Sequence, residues 1–308
     1  MKFKCLIAGL LIVAGSLSAN LQDHFKVITN ERPANQGLEG VDFIYMINLD
    51  QRPEKFKMSL DQLTPYGITP YRFSAVNGWE LTFDAVEDVG VELNPGMNDG
   101  HWGTCYLRNE NWEPHHEIVQ KMGRVYFCHC MSRGAIGICL SHLSILQDAY
   151  DQGYDTIWVM EDDIQVIQDP HLISDAIKKM DKSVGRDKWD LLFTDQDTKN
   201  QEGKYVPCLG YAWRPNFTPV NPNRFAARKQ IGRELRQIGA RYGAYSMIVR
   251  RSGMKKILDF FKTHQIFRPY DMDFYMPENI KLYCVMKDIV STMPRAASDN
   301  GGANYKNN

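Results

Sequence analysis

After its first nineteen residues the sequence has no apolar run long enough to cross a bilayer, which takes about 20 residues. It also has no internal repeat and no low-complexity tract, which sets aside solenoids and disordered chains. An excess of one charge is missing too. The 36 Lys and Arg against 37 Asp and Glu leave a net charge of -1, so nothing global points to nucleic acid. Cysteine is sparse: beyond Cys5 there are Cys105, Cys128, Cys130, Cys139, Cys208 and Cys284. Their even number permits disulfides, their irregular spacing does not require them, and buried free thiols are the equal alternative. Cys128-His129-Cys130 and His115-His116 lack the paired spacing of a structural zinc site. Gly134 and Gly137 match neither a dinucleotide fingerprint nor a phosphate-binding loop.

What is present is ordinary globular composition. The 308 residues are 44% hydrophobic and 24% charged, enough for one large domain or two small ones. Met1-Lys2-Phe3-Lys4 followed by the apolar Cys5–Ala19 has the form of a signal peptide over 1–19, cleaved or kept as an anchor. Export or anchoring follows, and membrane association would come only through that segment. Residues 20–40 are polar and suit a linker. The remainder, 41–308, is expected to form the main folded domain.

Within it, β-branched and aromatic runs predict strands at 41–47, 71–76, 156–160, 189–194 and 244–249. Helical spacing predicts helices over 53–63, 135–150, 173–180 and 253–262, the first opened by Pro53. Residues 84–133 suggest an irregular excursion, and 198–225 a lid or binding loop. Alternation of strands and helices predicts an α/β fold with a mostly parallel central sheet flanked by helices. Ligands of such folds collect at the carboxyl ends of strands.

Glu161-Asp162-Asp163 stands at one such end, directly after Thr156-Ile157-Trp158-Val159-Met160. Clustered carboxylates beside a buried strand repel one another and are costly to desolvate, and a divalent cation relieves both. Mg²⁺ or Mn²⁺ suits oxygen ligands of this kind. If the extended backbone continues, Glu161 and Asp163 face together and Asp162 faces away. A solvated turn is the plainer explanation. Arg133-Gly134-Ala135-Ile136-Gly137-Ile138-Cys139-Leu140-Ser141-His142 offers glycines for close approach to a ligand, and Ser141 and His142 could equally be core residues. Asp271 and Asp273, after Arg268-Pro269-Tyr270, could supply a general base or cap a helix. Asp190, Asp195 and Asp197 carry the same ambiguity. Basic residues from Lys204 to Arg241 outnumber the single Glu234, which suits a solvated helix face or contact with an anionic ligand.

The order of segments is more specific than any one of them. Ile47-Asn48-Leu49-Asp50-Gln51-Arg52-Pro53-Glu54-Lys55, Ala75-Val76-Asn77-Gly78, Gly134–His142 and Trp158-Val159-Met160-Glu161-Asp162-Asp163 follow in sequence. Trp189–Phe193, Gly243-Ala244-Tyr245 and Tyr270-Asp271-Met272-Asp273 come later. Together they resemble glycosyltransferase family 25, the lipooligosaccharide and collagen galactosyltransferases, across roughly residues 42–300.

The resemblance implies a GT-A-like nucleotide-sugar fold and inverting transfer of a hexose, galactose first, from a UDP-sugar with Mn²⁺ or Mg²⁺. The acceptor would be a hydroxyl of a lipopolysaccharide-type glycan or a glycoprotein. It implies Asp163 as first metal ligand, Glu161 on metal or ribose, and Asp162 as a further metal-ligand candidate. Asn48, Asp50 and Arg52 would lie near the nucleotide, and Gly134, Ser141 and His142 beside the donor. Asp271 or Asp273 would be the base. Asn77 departs from the acidic residue frequent in the family. A leader sequence conflicts with a cytoplasmic supply of UDP-sugar. A non-catalytic glycan-binding protein and a metal-dependent phosphohydrolase or nucleotidyltransferase are the rivals.

Overall fold

A computed structural model describes residues 20–33, 36–108 and 113–307. The expected signal segment, 1–19, lies outside the described residues. In chain order the regular elements are β1 (Phe43–Asn48), α1 (Pro53–Leu63), β2 (Tyr71–Ser74), α2 (Phe83–Val89), β3 (Val91–Glu92), β4 (Trp102–Tyr106), β5 (Pro114–Ile118), β6 (Val125–Cys128) and α3 (Arg133–Asp151). Then come β7 (Thr156–Glu161), β8 (Ile164–Val166), α4 (Leu172–Val184), β9 (Leu191–Phe193), β10 (Arg228–Ile231) and β11 (Leu235–Ile238). β12 (Ser246–Arg250), α5 (Arg251–His264), α6 (Tyr270–Asp273), β13 (Leu282–Val285) and β14 (Val290–Thr292) complete them.

Eight strands form the main sheet in the order β10-β11-β13-β9-β12-β7-β1-β2. β11 and β12 run against the other six, so the sheet is mixed with one direction prevailing. Its central strands are buried on both faces, and side chains alternate between two cores. Phe43, Tyr45, Ile47, Ile157 and Val159 pack with α3 and α5. Ile44, Met46, Trp158 and Met160 pack with Leu63 of α1 and Ile173, Ile177 and Met180 of α4. This alternation carries Glu161, at the end of β7, onto the α3 side.

Four regions differ from the sequence expectation. The described residues of the 84–133 excursion carry regular structure: α2 leads into a small antiparallel sheet, β3-β6-β4-β5. The basic stretch is no helix face but the edge hairpin β10–β11, where charged side chains keep an exposed edge from pairing with other chains. Arg214, Arg228 and Arg241 are instead consumed by ion pairs with Asp273, Asp197 and Asp195. The 198–225 loop is packed as well as exposed, since it buries Arg214 and Cys208. Residues 20–40 also lie against the domain. Leu21 is fully buried, and Gln36 exchanges two side-chain hydrogen bonds with the Ile44 backbone, at 2.7 and 2.8 Å. The six cysteines from Cys105 onward are free thiols.

Candidate active site

β7 is parallel to β1 on one side and antiparallel to β12 on the other. Its last residue, Glu161, is in register with Ile47 and donates its N–H to the Tyr245 carbonyl at 2.9 Å. A turn follows at Asp162 and Asp163 before β8. α1 fixes that turn from below, since Ser59 Oγ donates to the Asp162 carbonyl at 2.7 Å and Gln62 bonds to β8 at both Ile164 and Val166.

The turn breaks the extended alternation. Glu161 and Asp162, not Glu161 and Asp163, line the cleft at the carboxyl edge. Asp162 Oδ2 accepts from Asn48 Nδ2 at 2.6 Å, and Asn48 Oδ1 accepts from Arg72 Nε at 2.7 Å. The Asp163 backbone carbonyl accepts from Met293, while its side-chain Oδ1 is buried with no protein partner. Glu161 Oε1 lies 3.2 Å from His142 Nε2.

His142 is fully buried on α3 and stacked on Tyr270, with ring centroids 4.1 Å apart and planes 7° from parallel. Burial pushes its pKa down to about 3, so it is a neutral imidazole that orients Glu161. Burial pushes Glu161 up to about 8, with the Asp271 and Asp162 charges adding to it. Glu161 keeps 29% of its side-chain surface, and water entering the cleft relieves part of that rise. Burial likewise raises Asp162 and Asp163 to about 6 each. Lys55 opposes the rise at all three.

These carboxylates fit a hard divalent cation in kind: they are oxygen ligands, crowded and desolvated, with one orphaned oxygen on Asp163. They do not form a finished cage. Among the described residues no three metal-ligating side chains converge. A cation would be held by one or two of them, with water and substrate oxygens completing its shell, which is how Mg²⁺-type ions commonly bind.

The helix motif is used chiefly for packing. A Cβ on Gly137 would lie 2.5 Å from both the Val76 carbonyl oxygen and the Gly78 nitrogen. Ser141 Oγ accepts the Val76 N–H at 2.9 Å and donates to the Gly137 carbonyl at 2.7 Å, tying loop 75–78 to α3. Gly134 presses on the C-terminal segment, where a Cβ would meet Asn300 O at 2.6 Å. Asp50 lies outside this cleft, held by Ser74 at 2.5 Å and Arg72 at 3.2 Å. Arg52 and Lys55 both bind Asp299.

The two candidate bases separate. Asp273 is fully buried between Arg214 and Arg268. A carboxylate already neutralised by two guanidiniums and sealed from the cleft cannot receive an acceptor's proton, so the expected role there is corrected to a structural one. Asp271 lines a cavity of about 210 Å³ together with Glu161 and Tyr245. It also lines a second cavity, of about 600 Å³, walled by residues 198–202, Tyr242 and 292–296. The Gly243 N–H donates to its Oδ2 at 3.0 Å, and burial raises its pKa. Asp190, Asp195 and Asp197 are likewise structural. Asp190 accepts from Ser252 and Lys256, Asp195 pairs with Arg241, and Asp197 pairs with Arg228.

Sequence reasoning missed Lys55, Trp79 and Ser298–Asn300, which line the cleft beside Glu161. Lys55 closes the first quoted motif and Trp79 directly follows the second, a signal that was available. Nothing in the composition of 297–305 marks it as part of a site.

A family profile described as "Glycosyltransferase family 25 (LPS biosynthesis protein)" matches residues 41–276. Among curated relatives, a "Glycosyltransferase 25 family member" of Aedes aegypti is 28% identical over 174 residues, 56% of this chain and 24% of the relative. One of Drosophila pseudoobscura pseudoobscura is 26% identical over 164 residues, 53% and 22%. The "Inactive glycosyltransferase 25 family member 3" of Homo sapiens is 25% identical over 165 residues, 53% and 23%. The chain thus spans about a quarter of the length of these relatives.

Proposed function

The chain belongs to glycosyltransferase family 25, and on that premise we propose that it is a metal-dependent inverting hexosyltransferase of GT-A-like architecture. The donor is a UDP-sugar, with galactose the first hexose to test. The acceptor is a hydroxyl of a lipopolysaccharide-type glycan or a glycoprotein. The observation that carries the reading is the position of Asp271. It shares one cavity with Glu161 and opens onto the second.

In this reading Glu161 and Asp162, with the orphaned oxygen of Asp163 behind them, hold Mn²⁺ or Mg²⁺. Bound there, the cation supplies positive charge to the leaving diphosphate. Neutral His142 fixes Glu161, and the Tyr270 stack fixes His142. Asp271 accepts the proton of the acceptor hydroxyl. A pKa raised above the ordinary carboxylate value brings it nearer the operating pH, where a general base works best. The Gly243 N–H holds one of its oxygens and leaves the other for the acceptor.

A second reading is a family member without transferase activity. The name of the human relative and the unconverged carboxylates favour it. One experiment separates the readings: purified full-length chain incubated with a panel of UDP-sugars, with and without EDTA, followed by UDP release and product mass. EDTA-sensitive release with a glycosyl product supports the transferase. Release of nucleotide products without glycosyl transfer would indicate a phosphohydrolase. No turnover and no metal-dependent UDP binding would overturn the main reading.

A further inference from the structure

The cleft beside Glu161 and Asp162 measures only about 100 Å³. Small-molecule sites commonly run to about 300–1,000 Å³. The filling is the chain's own C-terminal segment. Asp299 is buried, with its carboxylate bound by Arg52 Nη1 at 2.7 and 2.9 Å and by Lys55 Nζ at 3.0 Å. The Trp79 indole N–H donates to the Asp299 carbonyl at 2.9 Å. Ser132 Oγ donates to Asn300 at 2.6 Å, and Asn300 rests on Gly134, the glycine whose missing Cβ was expected to admit a ligand. Further along, Asn77 Nδ2 donates to the Tyr305 hydroxyl at 2.7 Å.

We propose that Arg52 and Lys55 form an anion subsite for the diphosphate group of a nucleotide ligand, and that Asp299 is a self-ligand which that diphosphate displaces. The proposal rests on the donor reading above. Three observations converge on it. Arg52 gives its Nε to the neighbouring Glu54 and its Nη1 to Asp299, where Lys55 joins it, and a guanidinium and an ammonium converging on one point suit a polyanion with more oxygens. Lys55 lines the same cleft as Glu161 and Asp162 while binding Asp299, so it stands between the tail and the acidic group. Apart from the Asp299 ion pairs the tail is pinned by polar contacts alone, from Trp79, Ser132 and Asn77, with little apolar burial to resist local opening once the carboxylate is displaced. While the latch is closed, the affinity for an anion falls by the fraction of time that it is open.

The test is calorimetric titration of the full chain with two probes, UDP in the presence of Mn²⁺ and inorganic pyrophosphate. Asp299→Asn removes the competing charge and keeps the shape. It should tighten binding of both probes about tenfold, the lower scale of one hydrogen bond to a charged group. Adding Lys55→Met to that variant should abolish the gain. Tyr305→Phe loosens the tail without touching either cation, and should move both affinities the same way by about two- to threefold. If Asp299→Asn and Tyr305→Phe bind both probes no tighter than the unaltered chain, the self-ligand is refuted. If pyrophosphate tightens while no variant binds UDP, the anion subsite stands and the UDP-sugar reading falls.

Discussion

Replacing Asp273 by Asn should unfold the protein more readily without a chemical defect. The carboxylate receives Arg268 Nε at 2.7 Å, Arg268 Nη2 at 2.6 Å, the Arg268 backbone N–H at 3.3 Å and Arg214 Nη1. All three side chains are fully buried. Burial already pushes the Arg214 guanidinium down to about 10 with Asp273 present, which shows how costly that charge is. Removing one partner of a buried pair costs about 3–5 kcal/mol. Two guanidiniums lose their counter-ion here, so the upper part of that range applies. Carbonyl contacts remain: Arg214 to His264 and Gln265, and Arg268 to Ala212. They keep the cost from rising further. For a chain of this size that range is a fall in Tm of roughly 6–8 °C.

The comparison variant is Asp271→Asn, two residues away. Its carboxylate is raised by burial and held by one backbone N–H, so its loss should leave Tm unchanged or slightly higher. Transfer should fall by about 10²–10⁴, the usual contribution of a general base. Differential scanning calorimetry and initial rates well below both transitions read the two effects separately. Asp273→Asn with an unshifted Tm and a hundredfold loss of rate would refute the assignment, because a buried counter-ion cannot be removed without cost.

Three shorter predictions follow from the same geometry. Glu161, Asp162 and Asp163 have raised folded pKa values, so the stability they contribute is complete below about pH 4 and is lost as pH rises through about 6 to 8. Without metal, Asp162→Asn should therefore raise Tm at pH 8.5 more than at pH 5, while Mn²⁺ should stabilise the unaltered chain at pH 8.5 and the variant less. Equal metal shifts in both would remove Asp162 from the site. Gly137→Ala gains about 1 kcal/mol of helix propensity but drives a Cβ into two backbone atoms at 2.5 Å. A net loss of about 1–3 kcal/mol in denaturant unfolding is expected, and a stabilised variant would show that loop 76–78 yields. Cys130 is exposed, with its pKa lowered to about 6 chiefly by the Cys128 thiol 3.1 Å away, so it should be the first cysteine alkylated at pH 7. Prior labelling of Cys139 or Cys208 would contradict that.

The parts of the fold that could be read from sequence are those where one physical effect dominates. β1 and β7 are apolar at consecutive positions because both faces are covered, and that pattern marked the strand end where Glu161 sits. The small sheet β3–β6 was hidden because its strands are short and carry polar faces, as in Pro114-His115-His116-Glu117-Ile118. Asp162 and Asp163 were misoriented because alternation holds only while the backbone stays extended, and a turn begins there. The tail had no legible signal, since Asp299 acquires meaning only from Arg52 and Lys55, some 245 residues earlier.

Charge shows most clearly why counting residues could not locate the ligand. The densest basic stretch, 204–241, suits either a solvated helix face or contact with an anion when read as sequence. Its three most buried arginines each meet an aspartate: Arg214 with Asp273, Arg228 with Asp197, Arg241 with Asp195. Tyr245 joins the last pair, with its hydroxyl donating to Asp195 at 2.8 Å and receiving Arg241 at 2.5 Å. These pairs brace the wall that presents Gly243, Tyr245 and Asp271, and they have no charge left for a substrate. Lys55, which lines the acidic cleft, comes from the first turn of α1, and Arg52 stands at that helix's N-cap, where the sequence is not conspicuously basic. Among the described residues, their carboxylate partner from across the cleft is Asp299, the proposed self-ligand. A basic residue is available to a ligand when its partner can leave, and that property belongs to the topology around Asp299, not to the local density of Lys and Arg.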